Sequence, residues 1–163
     1  MVSRIERWAA GVGLLVALAG VVATRPSRAF APLGRFTVSA DSTTVVDTKT
    51  GLLWQAVTPQ TLYTWSDATS YCHGLALGGS SSWRMPSVGE LQTLIDDSRA
   101  GPAIDPIAFP SVPFDFAYWT SSSLVGAFGG RYDWTVSFQD GTSEFYFWTA
   151  TLHVRCVTSS PSS

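Results

Sequence analysis

Two cysteines and two histidines are the side chains in this chain that could do nucleophilic chemistry. Cys72 is followed directly by His73, but adjacent residues of a helix point in different directions. His153 falls in a predicted strand, where its side chain lies on the opposite face from that of Cys156. Because neither cysteine has an evident histidine partner, the pattern does not predict a Cys-His or Ser-His catalyst.

Metal binding would have to use the acidic residues around the proline-rich segment 102–113. Asp96 and Asp97 precede that segment and Asp105 lies within it, and calcium favours flexible cages of oxygen ligands. Their spacing matches no EF-hand, and the scattered cysteines and histidines make no zinc site. The sequence therefore predicts no metal and no other cofactor, with these three aspartates as the only calcium candidates.

The segment "SSWRMPSVGEL" (81–91) has two interpretations. Arg84 could grip a ligand, because a guanidinium can hold a carboxylate or sulfate in two bonds. Alternatively, Trp83 packs in the core, Arg84 pairs with Glu90, and Ser87 with Glu90 forms a capping box after Pro86. We favour the second interpretation, because a partly buried arginine needs a partner and capping accounts for both Ser87 and Glu90.

Aromatic side chains are concentrated in the C-terminal third, at Trp119, Tyr132, Trp134, Tyr146 and Trp148. Flat aromatic faces suit sugar rings and protein contacts, but they are also common in cores. Alternation in "RYDWTVSF" places Trp134 inward with Val136 and Phe138. In "EFYFW", Tyr146 and Trp148 share one face, and one face could be exposed. We therefore expect mainly core tryptophans, with Tyr132, Tyr146 and Trp148 as candidate ligand contacts.

Residues 1–29 have the order of a secretory signal peptide. Arg4 and Arg7 precede an apolar run at 9–23, and small residues lead to a cleavage site after Ala29. An uncleaved anchor is the alternative, although the run is short against the about 20 residues of a spanning helix. We expect an exported protein (periplasmic, cell-surface or secreted) with no membrane span after cleavage.

Cleavage would leave 134 of the 163 residues, which suits one domain. The leader removes four of the ten Lys and Arg residues and one of the twelve acids, which leaves six bases, eleven acids and a formal charge of −5. Neutralising phosphates requires clustered Lys and Arg, so a nucleic-acid partner is excluded, and sulfated polysaccharides meet the same objection.

In an exported chain, Cys72 and Cys156 are expected to form a disulfide. The closed loop is long, and the chain-entropy account puts its stabilisation at roughly 4–5 kcal/mol. Two separate buried thiols are the alternative.

The elements that would position these residues follow from turn and capping signals. Thr43–Val46 and Leu52–Trp54 predict a hairpin through Gly51. Thr64 and Asp67 predict the start of a helix over 65–75, and Ser87 that of a second helix ending near Asp96. Four prolines across 102–113 exclude a regular element. The remainder predicts strands at 118–123, 131–138 and about 144–150, a turn at Asp140-Gly141 and a closing strand with Leu152, Val154 and Cys156 on one face.

This order predicts an α+β fold: a small antiparallel sheet, two short helices and one disulfide. The predicted divisions are a signal peptide at 1–29, an irregular arm at 30–41, the domain at 42–158 and a disordered tail at 159–163.

Six motifs resemble the Lcl C-terminal domain family, named for the end domain of a bacterial collagen-like adhesin. They are "DTKTGLLWQ", "TWSDATSYC", "SSWRMPSVGELQTLID", "YWTSSS", "VSFQDG" and "VRCV", in that order over Asp47 to Val157. We expect their characteristic residues to be structural: Asp47, Gly51, Trp54, Trp83, Arg84, Pro86, Glu90, Trp119, Asp140, Gly141 and Arg155. The resemblance implies adhesion-type binding to glycans or extracellular matrix.

A more distant resemblance is to C-type lectin-like domains, in the disulfide from the first helix to the last strand. "WRMPSVGEL" is similar to a helix entry of the formylglycine-generating enzymes, which share that architecture. We favour a secreted or cell-surface binding module without catalysis, for a glycan or extracellular protein. A self-assembling envelope protein, with aromatics forming an oligomer face, is one alternative. The other is an enzyme related to the formylglycine-generating group, which would need reactive cysteines that a disulfide removes.

Overall fold

A computed structural model describes residues 34–99, 101–113, 117–126 and 129–160. The predicted signal peptide, the start of the arm and the last three residues of the tail lie outside these ranges. In chain order the elements are β1 (Phe36–Val38), β2 (Thr44–Asp47), β3 (Leu52–Gln55), α1 (Trp65–His73), α2 (Val88–Gln92), β4 (Tyr118–Val125), β5 (Arg131–Val136), β6 (Ser143–Phe147) and β7 (Val157–Ser159). The α+β prediction with two short helices is confirmed.

The described strands form two antiparallel sheets rather than the single sheet expected. The first has the order β1-β2-β3-β7, and the second the order β4-β5-β6. The predicted hairpin is β2–β3, and its turn uses Gly51 with a φ of 70°. β1 lies inside the segment predicted to be irregular, and it pairs with β2 from Phe36 opposite Asp47 to Val38 opposite Val45.

The closing strand is displaced from its predicted position. β7 begins at Val157 and pairs with β3, so the chain leaves the second sheet and returns to the first. The segment from Leu152 to Cys156 makes isolated bridges instead of a continuous ladder. Every residue of this segment is buried, and a segment buried on all sides has no exposed face to define an alternation.

Both helices begin where the capping residues predicted. The Thr64 hydroxyl accepts the Asp67 N–H at 3.3 Å and donates to the Asp67 carboxylate at 2.7 Å. The carboxylate therefore bonds to the Thr64 hydroxyl and not to the Thr64 N–H that a capping box would use. Ser87 and Glu90 form a complete capping box at α2. α2 ends at Gln92, earlier than predicted, because the hydrogen bonds after it span three residues and not four. The Leu94 N–H donates to the Leu91 carbonyl and the Ile95 N–H to the Gln92 carbonyl.

Segment 101–113 forms no helix or strand, as its prolines predicted. It nevertheless buries Ile104 and Phe109, which join Trp54, Tyr118 and Phe138 in one apolar cluster. A second cluster surrounds the disulfide and contains Trp83 and Trp119. Within the described residues, neither helix is long and apolar enough to cross a membrane.

The predicted disulfide is confirmed: Cys72 of α1 is bonded to Cys156, with 5.5 Å between their Cα atoms. It joins the first helix to the chain just before β7.

Candidate functional site

Arg84 pairs with Glu90, the partner that the second interpretation expects. Its guanidinium donates to both oxygens of Glu90, at 2.9 and 2.6 Å, and Glu90 also accepts the Ser87 N–H at 2.8 Å. These hydrogen bonds outweigh burial and hold the pKa of Glu90 at about 2. Trp83 is 2% exposed, so the core prediction for this residue is also confirmed. An open, polar concavity of about 460 Å³ lies beside Arg84, lined by Gly79, Ser80, Ser81, Ser82, Thr158 and Ser159.

Other motif residues also have structural contacts. The Asp47 carboxylate accepts two hydrogen bonds from Arg35 and one from the Thr50 hydroxyl. At the β5–β6 turn, Gly141 has a φ of 81°, and an added Cβ would lie 2.8 Å from the Ile95 side chain, so any larger residue there would be strained. Trp54 and Trp119 are fully buried.

Arg155 is the most unusual member of this structural group, because it is a fully buried cation. It donates to the carbonyls of Gln55 and Ala56 at 3.1 and 2.9 Å and to the Thr58 hydroxyl at 2.9 Å. Its guanidinium lies 4.6 Å from the centre of the Phe109 ring. Burial lowers the pKa of Arg155.

The calcium candidates do not form a metal site in the described structure. Asp96 accepts hydrogen bonds from Ser98 and Arg99, and Asp105 accepts the N–H groups of Ile107 and Ala108. Among the described residues, no group of three or more His, Cys, Asp or Glu side chains could hold a metal ion.

The alternative of an enzyme that depends on a reactive cysteine lacks a free thiol to act as the nucleophile. Both cysteines of the chain are in the disulfide, so neither is a thiol. His153 is buried, with its ring centre 5.4 Å from that of Tyr118.

The aromatic residues of the β5–β6 hairpin lie on two faces. Residues opposite each other in an antiparallel pair share a face, and Tyr132 lies opposite Phe147 while Trp134 lies opposite Phe145. We call these four the aromatic face; their rings meet edge to face, with centres 5.5 to 5.9 Å apart. Trp134 is half-buried there and not inward as the alternation predicted, because the inward positions of β5 are Asp133 and Thr135.

The opposite side, which we call the polar face, contains Ser123, Arg131, Asp133, Glu144 and Tyr146, with Trp65 and Trp148 beside them. The register places Asp133 opposite Ser123 on one neighbouring strand and opposite Tyr146 on the other. The Trp148 N–H continues the ladder to the Arg131 carbonyl at 3.4 Å. Tyr146 thus lies on the opposite face from Tyr132, while Trp148 follows β6 in a turn with its ring centre 6.4 Å from that of Phe147, so the three candidate contacts do not form one surface.

Arg131 is held in place on the polar face from two sides. Its guanidinium lies 3.9 Å above the Trp65 ring, and its Nε is 3.2 Å from Asp133 Oδ2. The Trp65 indole is itself fixed, since its N–H donates to the Thr120 carbonyl at 2.9 Å. Asp133 is fully buried and accepts the Ser123 hydroxyl at 2.5 Å. The side chain of Arg131 remains 43% exposed, so a positioned cation faces solvent.

Two exposed aromatic residues are backbone neighbours of this part of β5, Tyr146 opposite Asp133 and Trp148 hydrogen-bonded to the Arg131 carbonyl. Tyr146 is 36% and Trp148 39% exposed. The backbone N–H of Trp65 donates to the Trp148 carbonyl at 3.2 Å. Tyr146 donates its hydroxyl to Glu144 at 3.3 Å, and burial together with the nearby carboxylate raises the pKa of Tyr146. The arrangement can offer a ligand a flat ring, a cationic donor and a carboxylate acceptor.

Sequence reasoning named Tyr146 and Trp148 as candidates but did not name Trp65, Arg131, Asp133 or Ser123, which the structure places around them. The spacing of Arg131 and Asp133, two apart in a strand, could have placed them on one face. Trp65 is more than sixty residues away in sequence, and no local signal connects it to Arg131.

The model of the Lcl C-terminal domain family matches residues 43–158, which is more than half of the chain. The chain therefore belongs to the Lcl C-terminal domain family, and the resemblance carried by the six motifs is confirmed. No curated protein matches it. A crystal structure of botrocetin has a TM-score of 0.46 and 8% identity, covering 78% of this chain and 98% of that chain. A likeness at that score carries no argument about function.

Proposed function

We propose that this protein is an exported, non-catalytic binding module that holds a glycan or an extracellular protein on the polar face. The observation that carries the proposal is the cation of Arg131, fixed between Trp65 and Asp133, with the exposed residues Tyr146 and Trp148 on the adjacent strand β6 and the turn that follows it. Membership of the Lcl C-terminal domain family supports a binding module over an enzyme. The disulfide supports an oxidising compartment.

The polar face has features of a contact surface more than of a core. Tyrosine, tryptophan and arginine are the residue types that dominate binding energy at contact surfaces. Here all three types occur together, and the cation is held in position before any ligand arrives, which reduces the entropy cost of binding. Burial does not explain the exposed part of the cluster, because Arg131, Tyr146 and Trp148 each keep more than a third of their area in solvent.

Binding to an array of glycans and extracellular-matrix proteins, with calcium and with chelator, tests the proposal. The full chain is expressed in an exporting host and purified as the host processes it, and its intact mass reports the cleavage site. We expect specific binding that Trp148→Ala weakens and Ile107→Ala does not, since Ile107 is an apolar side chain, 84% exposed, remote in sequence from the polar face. Binding that Trp148→Ala leaves unchanged would place the ligand elsewhere.

Self-assembly is the second candidate function, favoured by the aromatic face. Phe145 and Phe147 are 40% and 44% exposed there, which is unusual for phenylalanine in a sheet. Sedimentation at increasing protein concentration distinguishes the two functions. A blank array from a folded sample, with concentration-dependent association that Phe147→Ala abolishes, would favour assembly.

A further inference from the structure

The outer edge of β7 is only partly used by the first sheet. The Cys156 carbonyl and the Ser160 N–H both bond to the β2–β3 hairpin, so every second residue of this segment faces β3. The backbone groups of Val157 and Ser159 therefore face the other way. Val157 exchanges two hydrogen bonds of 2.9 Å with Arg84 on that side, as an isolated antiparallel bridge.

The ladder between Arg84 and β7 stops after this one pair. In a regular antiparallel ladder the next hydrogen-bonded pair would be Ser82 with Ser159, two residues along each strand. The Ser82 N–H bonds to the Ser80 hydroxyl at 3.3 Å instead. The concavity of about 460 Å³ lies at this point, with Ser82 and Ser159 in its lining. Within the described residues, the backbone N–H and carbonyl of Ser159 make no hydrogen bond, and they face this opening.

Arg84, at the end of the concavity where the ladder closes, has donors that the fold does not use. A guanidinium has five N–H donors. Both Nη atoms donate to Glu90, and Nη1 also lies 3.4 Å from the Met85 carbonyl. The edge formed by Nε and the second hydrogen of Nη2 makes no hydrogen bond in the described part of the chain. Two parallel donors of this kind are what a carboxylate accepts in a bidentate pair.

The shape of the opening selects the end of a chain over an internal segment. A peptide added to β7 beside Ser159 would meet the Arg84–Val157 pair two residues on, after about 7 Å, and has to end there. Arg84 can only donate, and so can an amino terminus, whereas a terminal carboxylate accepts. Because Glu90 balances the charge of Arg84, hydrogen bonds and not net charge favour the carboxyl end.

We propose that this concavity binds the carboxyl-terminal end of a peptide, added antiparallel to β7 as a short extra strand. The penultimate residue of the peptide exchanges two hydrogen bonds with Ser159, and the terminal carboxylate accepts from the open edge of Arg84. The hydroxyls of Ser81 and Ser82 in the lining supply further donors. This site is on the first sheet and the polar face is on the second, so each can be tested without the other.

Two peptide arrays test the site on the full chain purified from an exporting host. Both arrays carry the same hexapeptides attached through their amino ends, with free carboxyl ends on one array and amidated ends on the other. We expect binding to a subset of the free ends. In calorimetry, amidation of a selected peptide should weaken binding by about tenfold or more, because the charge-assisted hydrogen bonds are lost. This comparison needs no variant of the protein.

Variants locate the peptide. Ser159→Pro removes the N–H that faces the concavity, and an edge strand tolerates proline in this orientation. It should weaken the selected peptide by about fivefold or more. Val38→Pro is the matched control, because β1 is the opposite edge of the same sheet and the Val38 N–H also faces outward. Arg84→Lys keeps a cation beside Glu90 but loses the second edge, so it should weaken binding about as much as amidation does. Urea titration establishes that each variant is folded, and if Ser159→Pro is not, Arg84→Lys decides.

Four results would overturn the site. Equal binding of free and amidated peptides would remove the role of the carboxylate. Binding that both Ser159→Pro and Arg84→Lys leave unchanged would place the peptide elsewhere. A peptide released by Trp148→Ala and retained by Ser159→Pro would belong to the polar face. A folded sample that binds no peptide on either array would exclude the site while leaving the proposed binding function in place.

Discussion

Arg155 and Arg131 both lie against aromatic rings, but in opposite circumstances. Arg155 is fully buried, is neutralised by no carboxylate among the described residues, and uses carbonyls, a hydroxyl and the Phe109 ring instead. Arg131 lies on the Trp65 ring with the Asp133 carboxylate beside it and keeps 43% of its side chain exposed. The buried cation joins distant chain segments, while the exposed one is positioned and left available.

The comparison separates residues that hold the fold from residues that can meet a ligand. Arg155 connects the segment before β7 to the end of β3, and its neighbour Cys156 connects the same segment to α1. On the polar face, every contact that fixes Arg131 leaves its outer side in solvent. Substitutions near Arg155 should therefore change stability, and substitutions at the exposed rings should change binding.

Removal of the disulfide is expected to have the largest effect on stability. Cys72 and Cys156 are 84 residues apart in sequence, and closing so long a loop restricts the unfolded chain by about 4–5 kcal/mol. The variant Cys72→Ala/Cys156→Ala should lose about that free energy of unfolding in urea titrations. Reductant should lower the urea midpoint of the natural chain and leave that of the variant unchanged. A natural chain with the same urea midpoint with and without reductant would contradict this expectation.

Arg155→Met should have the next largest effect. It removes the charge from the core but deprives the Gln55 and Ala56 carbonyls of a donor, and each buried unsatisfied group costs about 1–3 kcal/mol. The Thr58 hydroxyl also loses a donor but keeps the Tyr118 hydroxyl as a partner at 3.0 Å. We expect a loss of about 3 kcal/mol or more in chemical denaturation. Arg99→Met is the control, because Arg99 lies nearer the surface with 31% of its side chain exposed. If both changes cost the same, the buried hydrogen bonds of Arg155 contribute little.

The Arg84–Glu90 pair is partly exposed and should make the free energy of unfolding depend on pH in the acidic range. The hydrogen bonds from Arg84 lower the pKa of Glu90 from 4.5 to about 2, so this contribution is complete above about pH 4.5 and is lost as the pH falls toward 2. The full shift corresponds to about 3 kcal/mol, and exposure of the pair reduces our expectation to about 1–2 kcal/mol. Glu90→Gln should flatten the stability profile between pH 5 and pH 2. A profile as steep as that of the natural chain would assign the dependence to other carboxylates.

Local signals predicted the fold where one short segment contains the cause. Gly51, the Ser87–Glu90 capping box and the Asp140-Gly141 turn each act within a few residues, and each is found as predicted. The closing strand was misplaced because the burial of Leu152 to Cys156 depends on distant elements that cover it on all sides. The same limit applies to the polar face, whose central contact joins Trp65 of α1 to Arg131 of β5. Tyr146 could be named as a candidate contact because an aromatic side chain in a predicted strand is visible in the sequence itself.

Tyr146→Ala is expected to have the smallest effect on stability, and it sharpens the comparison most. Tyr146 is 36% exposed and its hydroxyl meets only the exposed Glu144 in the described structure, so the change should alter the free energy of unfolding by about 0.5 kcal/mol or less. Urea titration of this variant beside Arg155→Met measures the contrast directly. A loss comparable with that of Arg155→Met would mean that Tyr146 is a packing residue and that the polar face is part of the core. A small loss, together with weakened ligand binding, would assign the ring to recognition, because the aromatic side chain would then be retained for a contact that folding does not require.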